Sequence, residues 1–99
     1  MPTYVTLLNF TDQGIRNVRE TTKRAKAFRD MAEKSGAKVR DLFWTLGSYD
    51  VVTVIDAADA ETLTALLLSA GTMGNVRSQT LRAFSSDEMD KILAKMPKA

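Results

Sequence analysis

Residues 43–54 read FWTLGSYDVVTV, two runs rich in aromatic and branched residues with a short polar interruption between them. Runs of this kind separated by so little chain can pair with each other only as an antiparallel hairpin, because a parallel return needs a crossover of about a dozen residues. With Gly47 and Ser48 as the central residues, the connection has the length and glycine placement of a type II′ turn. Leu46 then opposes Tyr49, Thr45 opposes Asp50 and Trp44 opposes Val51. Tyr49 shares a face with Trp44, and Asp50 shares the other with Phe43 and Val52.

The rest of the chain builds outward from that hairpin. TYVTLLN (3–9) reads as a strand, and VRSQTLRAF (76–84) as another. Residues 37–46 and 50–56 are the hairpin strands. Thr11 or Asp12 caps a short helix carrying Ile15 and Val18, and 23–35 is a helix that buries Ala25, Phe28, Met31 and Ala32 and stops at Gly36. Whether 11–35 is one helix or two is open in the sequence. Asp59 caps a helix whose Leu63, Leu66, Leu67 and Ala70 form one apolar stripe. Ser85 and Glu88 form a capping box, with Phe84 and Met89 as a hydrophobic staple. Met89, Ile92, Leu93 and Met96 then line one side of the last helix, which Pro97 closes. The order is βαββαβ plus a terminal helix. It predicts an α+β, ferredoxin-like domain over 1–99, with a four-stranded antiparallel sheet and two helices on one face.

The strands predict what happens on the other face. A sheet with one wet face alternates apolar and polar residues. Here Val51 and Ile55 oppose Val52 and Val54, and Val5 and Leu7 oppose Tyr4, Leu8 and Phe10. Leu42, Trp44 and Leu46 oppose Val39 and Phe43. Both faces are apolar, so a second copy is expected to cover the open one, making a dimeric α/β barrel. The fourth strand is polar, with Arg77 and Gln79 on one side and Ser78, Thr80 and Arg82 on the other. It is placed at the interface or at an inter-subunit pocket.

Composition removes whole classes of chemistry. The chain has no cysteine and no histidine, which excludes thiol nucleophiles, Cys/His zinc sites, imidazole bases and haem held by histidine or thiolate. A metal would need oxygen ligands alone, and no acidic calcium loop or phosphate-cradling glycine loop is present. No metal and no cofactor are expected. The basic stretch KRAKAFR (23–29) is read as a solvated helix face, with Glu20/Arg24, Lys26/Asp30, Arg29/Glu33 and Asp30/Lys34 spaced for i, i+4 pairing. With a net charge of +2, no nucleic-acid partner is expected. The start, MPTYVTLLNF, lacks a basic leader and a small-residue cleavage site, and no apolar run is long enough to span a membrane. The expectation is a cytoplasmic protein without a membrane partner.

The hairpin also carries the candidate site. Asp50, entering a strand beside Phe43 and Val52, would be partly desolvated, the setting of a general base unless amides, hydroxyls or an arginine satisfy it. The competing reading gives Gly47 the turn, packs Tyr49 at the sheet end and lets Asp50 cap nearby backbone amides. WTLGSYDVVTV followed by GNVRSQTLRAF resembles the GYD domain family, named for a Gly-x-Tyr-Asp pattern that Gly47, Tyr49 and Asp50 match. The opening YVTLLNFTDQGIRNV and the KRAKAF helix start extend the resemblance over nearly the whole chain. One departure is ETTKR, where relatives often carry a proline before the basic pair. The resemblance implies a small bacterial α/β barrel-type domain with no settled activity.

The functions compatible with this reading are three. The first is a homodimer, or a multiple of one, that binds a small molecule in or near the inter-subunit sheet cavity. In it Trp44, Arg82 and Thr80 serve as ligand-binding candidates. The second is a cofactor-independent enzyme of the dimeric-barrel type, using Asp50 as base or anchor with Tyr49 beside it. The third is a structural or stress-associated oligomer. A non-catalytic ligand-sensing module is the binding version of the first. Trimeric nitrogen-signalling sensors are set aside because the second and third strands here lack a long connection. Acylphosphatase chemistry is set aside because Asn17 and Val18 stand where an aromatic and a key arginine are wanted near Arg16. Enzyme and binding module are not separated by the sequence.

Overall fold

The computed structural model describes residues 1–98. Strand β1 (Thr3–Phe10) leads through a short helix α1 (Asp12–Arg16) and a single 3-10 turn (Val18–Glu20) into α2 (Thr21–Lys34). Strands β2 (Lys38–Trp44) and β3 (Val51–Asp56) form the hairpin, and α3 (Ala60–Thr72) crosses to β4 (Val76–Ala83). Helix α4 (Ser86–Ala94) is the last element among the described residues. The four strands pair antiparallel in the order β2-β3-β1-β4, the ferredoxin-like arrangement predicted from the sequence. Residues 11–35 resolve into two helices, because the 3-10 turn ends α1 and α2 starts anew at Thr21.

The core forms between the sheet and the two longer helices. Tyr4, Val39, Ile55 and Ala57 from the strand side meet Ala32, Leu63 and Leu66 from the helices, with Phe28, Met31, Leu42 and Leu67 packed at the edge. Ile55 and Leu63 are fully buried, each contributing about 1.5–3 kcal/mol. Asp59 caps α3 as expected, its carboxylate accepting from the Thr62 amide at 2.7 Å.

Strand β2 departs from the expected register. Val39 faces Ile55 and Asp41 faces Val54, so Arg40 is an extra residue, a β-bulge. The bulge puts Val39, Leu42 and Trp44 on the same, helix-covered face and leaves Phe43 on the open one. Strict alternation divides Val39 from Leu42 and Trp44, and the inserted residue overturns that division.

The connection between β2 and β3 is also looser than a two-residue turn. Gly47 has φ +105°, a conformation that favours glycine. No Leu46–Tyr49 backbone bond forms, however, and the loop is closed instead by Thr45 N–H donating to the Asp50 carbonyl at 2.8 Å. Leu46 stands fully in solvent. Asp50 thus keeps its expected partner Thr45, while its own N–H donates to the Leu8 carbonyl of β1 at 2.9 Å.

The open face carries half-buried Val5, Leu7, Val52 and Val54, with Phe43 and Leu81 60% and 44% exposed. The expectation of two apolar faces therefore holds over three strands. The i, i+4 ion pairs expected on α2 do not form among the described residues. Glu20 pairs with Lys23 at 3.3 Å, while Arg24 and Arg29 turn to backbone carbonyls.

Helix α4 stands apart. Its capping box is present, with the Ser85 hydroxyl accepting from the Glu88 amide and the Glu88 carboxylate accepting from the Ser85 amide. Its apolar residues Met89, Ile92 and Leu93 are exposed, and Met96, expected on the same helix, lies exposed beyond its end at Ala94. The Ser85 amide, followed by Arg82, holds the Glu88 carboxyl below its ordinary range. A depressed carboxyl stabilises the fold above its unfolded-state pKa and loses that contribution as pH falls through the folded value. On acidification α4 is therefore expected to fray before the sheet. Amide exchange that protects α4 and β1 equally at low pH would contradict this.

Candidate functional site

The residues singled out from the sequence do not converge. Asp50 caps backbone: one carboxylate oxygen accepts from the Phe10 amide at 2.8 Å, closing the end of β1 where β3 has not yet begun. The Tyr49 hydroxyl reaches Gln79 at 3.1 Å. Gln79 lies opposite Leu7 on the open face, so Tyr49 and Trp44 are on opposite sides of the sheet rather than sharing one. This differs from the hairpin reading because the regular β2–β3 ladder stops at Trp44 and Val51, so strict alternation does not carry through the loop to Tyr49. Replacing Asp50 with alanine leaves the Phe10 amide without that acceptor and is expected to cost about 1–2 kcal/mol, whereas asparagine keeps an acceptor and should cost less. Urea melts of the two variants would separate them, and equal stabilities would refute the capping role.

Thr80 and Arg82 lie on the helix side of edge strand β4, opposite Thr6 and Tyr4. The Arg82 guanidinium sits 4.5 Å from the Phe84 ring centroid and 5.6 Å from that of Tyr4. It pairs with Glu88 at 3.1 Å and donates to the carbonyls of Thr3 and Ala83. These contacts tie the end of the sheet to the start of α4.

Trp44 leads to a different place. A cavity of about 240 Å³ opens between α2, α3 and the sheet. Phe28, Met31, Leu42, Trp44 and Met73 are among its apolar walls. The Trp44 indole N–H donates to the Thr21 hydroxyl at 3.0 Å, which fixes the ring against the first turn of α2. Thr53 also lines the cavity. Thr53 is 2% exposed and, among the described residues, its hydroxyl has no hydrogen-bond partner; the Thr6 hydroxyl, fully buried directly across the strand pair, likewise has none. Arg24 completes the lining. Its Nη1 donates to the Asn17 carbonyl at 2.8 Å and its Nη2 to that of Gly14 at 3.4 Å. Among the described residues it makes no ion pair.

One end of the cavity depends on α1. The Asn75 carbonyl accepts from the Thr11 amide at 3.0 Å, and Gln13 Nε2 donates to the Met73 carbonyl and the Asn75 side chain. Gly14 is buried against Asn75, so the missing side chain is what lets α1 seat there. Arg24, Thr53 and Gly14 were not singled out from the sequence. Thr53 had a signal, since the inward alternation of Val51 and Ile55 places a hydroxyl between them. Arg24 had none, because its spacing from Glu20 suggested an ion pair.

The GYD domain sequence profile matches residues 4–93. The chain belongs to the GYD domain family. The GYD residues themselves, Gly47, Tyr49 and Asp50, are the loop between β2 and β3 rather than the cavity. A Thermus thermophilus protein named glutamine synthetase and cystathionine beta-lyase binding protein is 33% identical to this chain over 84 residues, spanning 84% of this chain and 88% of that protein. Among solved structures, TTHA0845 from Thermus thermophilus is similar with a TM-score of 0.56 and 22% identity, over 87% of this chain and 96% of that one. A feast or famine regulatory protein from M. tuberculosis complexed with L-methionine is similar with a TM-score of 0.60 and 19% identity. That match covers 88% of this chain and 54% of the regulator. These structural likenesses establish the fold of the GYD chain. Among the described residues, no helix is long and apolar enough to cross a membrane.

Proposed function

We propose that this GYD protein is a homodimer that binds a small molecule in the cavity between α2, α3 and the sheet. The observation that carries the reading is the unpartnered Thr53 hydroxyl, buried at an apolar cavity wall. A buried hydroxyl without a partner costs about 1–3 kcal/mol, and a ligand oxygen or amide would offset that. The cavity is small beside the ~300–1,000 Å³ of sites for drug-sized ligands, so the ligand is small too. Binding is favoured over catalysis because Asp50, the acid singled out from the sequence as a base, spends a carboxylate oxygen on the Phe10 amide. The dimer forms by apposition of the two open sheet faces, where Phe43 and Leu81 are exposed.

Native mass spectrometry of protein purified without added ligand tests both parts. A dimer, or a multiple of it, carrying a small-molecule adduct is expected. A clean monomer at micromolar concentration would overturn the face-to-face barrel, and a dimer that never takes up any small molecule would leave a purely structural oligomer.

A second reading is contact with metabolic enzymes, suggested by the name of the 33% identical Thermus relative and by the exposed apolar stripe on α4. Surface plasmon resonance against purified glutamine synthetase and cystathionine beta-lyase tests it. Binding that disappears in Leu93→Lys would support it, and no binding to either enzyme would refute it.

A further inference from the structure

We infer that the ligand of the α2–α3 cavity is an apolar monocarboxylate without an ammonium group, with its carboxylate held by Arg24. The inference rests on the cavity being a binding site, as proposed above. Three observations on the lining select the class.

The first is the state of the arginines: Arg24 and Arg29 both donate to backbone carbonyls with no ion pair among the described residues, and of the two only Arg24 lines the cavity. Arg82 is paired with Glu88 and Arg40 lies 3.7 Å from Asp56. Arg24, half-buried at the cavity, has only neutral carbonyls as partners. A guanidinium has five N–H donors in a planar fork that fits a carboxylate with two parallel bonds. The carbonyls of Asn17 and Gly14 hold the side chain in place and leave its charge unmatched. Arg24 lies in the first turn of α2, whose positive dipole end adds to the same preference for an anion.

The second observation is what the lining lacks. It contains no lysine, so Arg24 is the one cationic residue in the lining, which suits a monoanion better than a doubly charged phosphate. It also contains no aspartate or glutamate. An amino acid would bring an ammonium group into an apolar cavity without a counter-charge, and that burial is costly. The same anion without the amine meets no such penalty.

The third is the body of the cavity. Phe28, Met31, Leu42, Trp44 and Met73 offer aromatic, thioether and branched surface, and a volume of about 240 Å³ suits a molecule on the order of ten non-hydrogen atoms. Thr53 supplies one hydrogen bond to an oxygen of the bound molecule. Thr6, its cross-strand neighbour, is equally buried and equally unpartnered but does not line the cavity. That pair provides an internal control.

Calorimetric titration of the intact protein with phenylpropionate, phenylpropanol and phenylalanine tests the class, because the three share a phenylpropyl skeleton and differ in carrying a carboxylate, a hydroxyl, or a carboxylate with an ammonium group. Octanoate and octanol repeat the comparison with a flexible body. The acids are expected to bind more tightly than their neutral twins by about tenfold or more, the range of a charge-assisted hydrogen bond. Phenylalanine should bind more weakly than phenylpropionate. Arg24→Met should erase the advantage of the acids. Thr53→Val and Thr6→Val should both raise the thermal midpoint, and only Thr53→Val should weaken binding; a midpoint measured on each variant also establishes that it is folded.

The outcomes separate the two levels of the argument. Equal binding of acids and alcohols, untouched by Arg24→Met, would overturn the carboxylate assignment and leave the cavity as a binding site. Phenylalanine binding as tightly as phenylpropionate would overturn the exclusion of the ammonium group. No measurable binding of any of the five compounds at millimolar concentration would overturn both the assignment and the cavity reading.

Discussion

Replacing Gly14 with alanine is expected to destabilise the protein by about 2–3 kcal/mol, the range for forcing extra atoms into a packed site. Gly14 would tolerate a side chain as far as its own helix is concerned. The obstacle is Asn75, whose carbonyl oxygen lies directly against the position of the new methyl and whose carbonyl carbon would stand 2.9 Å from it. Backbone cannot rotate aside as a side chain would, and this carbonyl is already held by the Thr11 amide. Either α1 lifts or the 73–75 loop retreats. Both moves disturb Met73 and Asn75 at the cavity, and also the Gly14 carbonyl that Arg24 uses. A urea titration should show a lower midpoint with an unchanged slope. A wild-type midpoint would mean that α1 does not pack against the loop in solution.

If the proposed face-to-face dimer forms, Val52→Lys should separate its subunits while leaving each one folded. Val52 is on the open face, between Leu7 and Phe43 in the register. In a single chain the new ammonium has access to water, so the sheet loses little. In the proposed face-to-face dimer it would be buried twice, once from each copy, and Asp41, which lies on the same face opposite Val54, could offset only part of that burial. Taking a charge out of water costs several kcal/mol per ion, so dissociation should increase by about a hundredfold or more. Sedimentation velocity across a concentration series would register the change. An unaltered dimer would place the interface elsewhere and remove the barrel.

The strand order, the hairpin and the caps were legible because each rests on local chemistry. Asp59 and Ser85 are good caps in any context, and Val51, Val52, Val54 and Ile55 suit a strand whatever lies above it. The bulge at Arg40 was not legible from alternation alone. Its signal was present, since Val39 and Leu42 are both apolar and three apart, a spacing that a regular strand cannot turn to one face. For Asp50 the sequence offers a desolvated strand position, with amide capping as the competing account. The capping bond to Phe10 links residues 40 apart in the chain, and no local pattern specifies such a partner. Arg24 misleads for the opposite reason: a local pairing rule supplies Glu20, and the carbonyls of Asn17 and Gly14 take its place.

Helix α4 leaves a physical signature that needs no ligand and no partner to detect. The chain measures 53 × 31 × 19 Å, and its radius of gyration is 15.3 Å, against about 13 Å for a compact domain of this length. Small-angle scattering at high dilution would test whether the exposed helix α4 accounts for that elongation. If α4 folds back along its own subunit, the maximum chord shortens and the scattering curve approaches that of a sphere. If it stays outstretched, the long tail of the distance distribution remains. The terminal helix is in effect a pointer, and its angle is read from the shape of the whole particle.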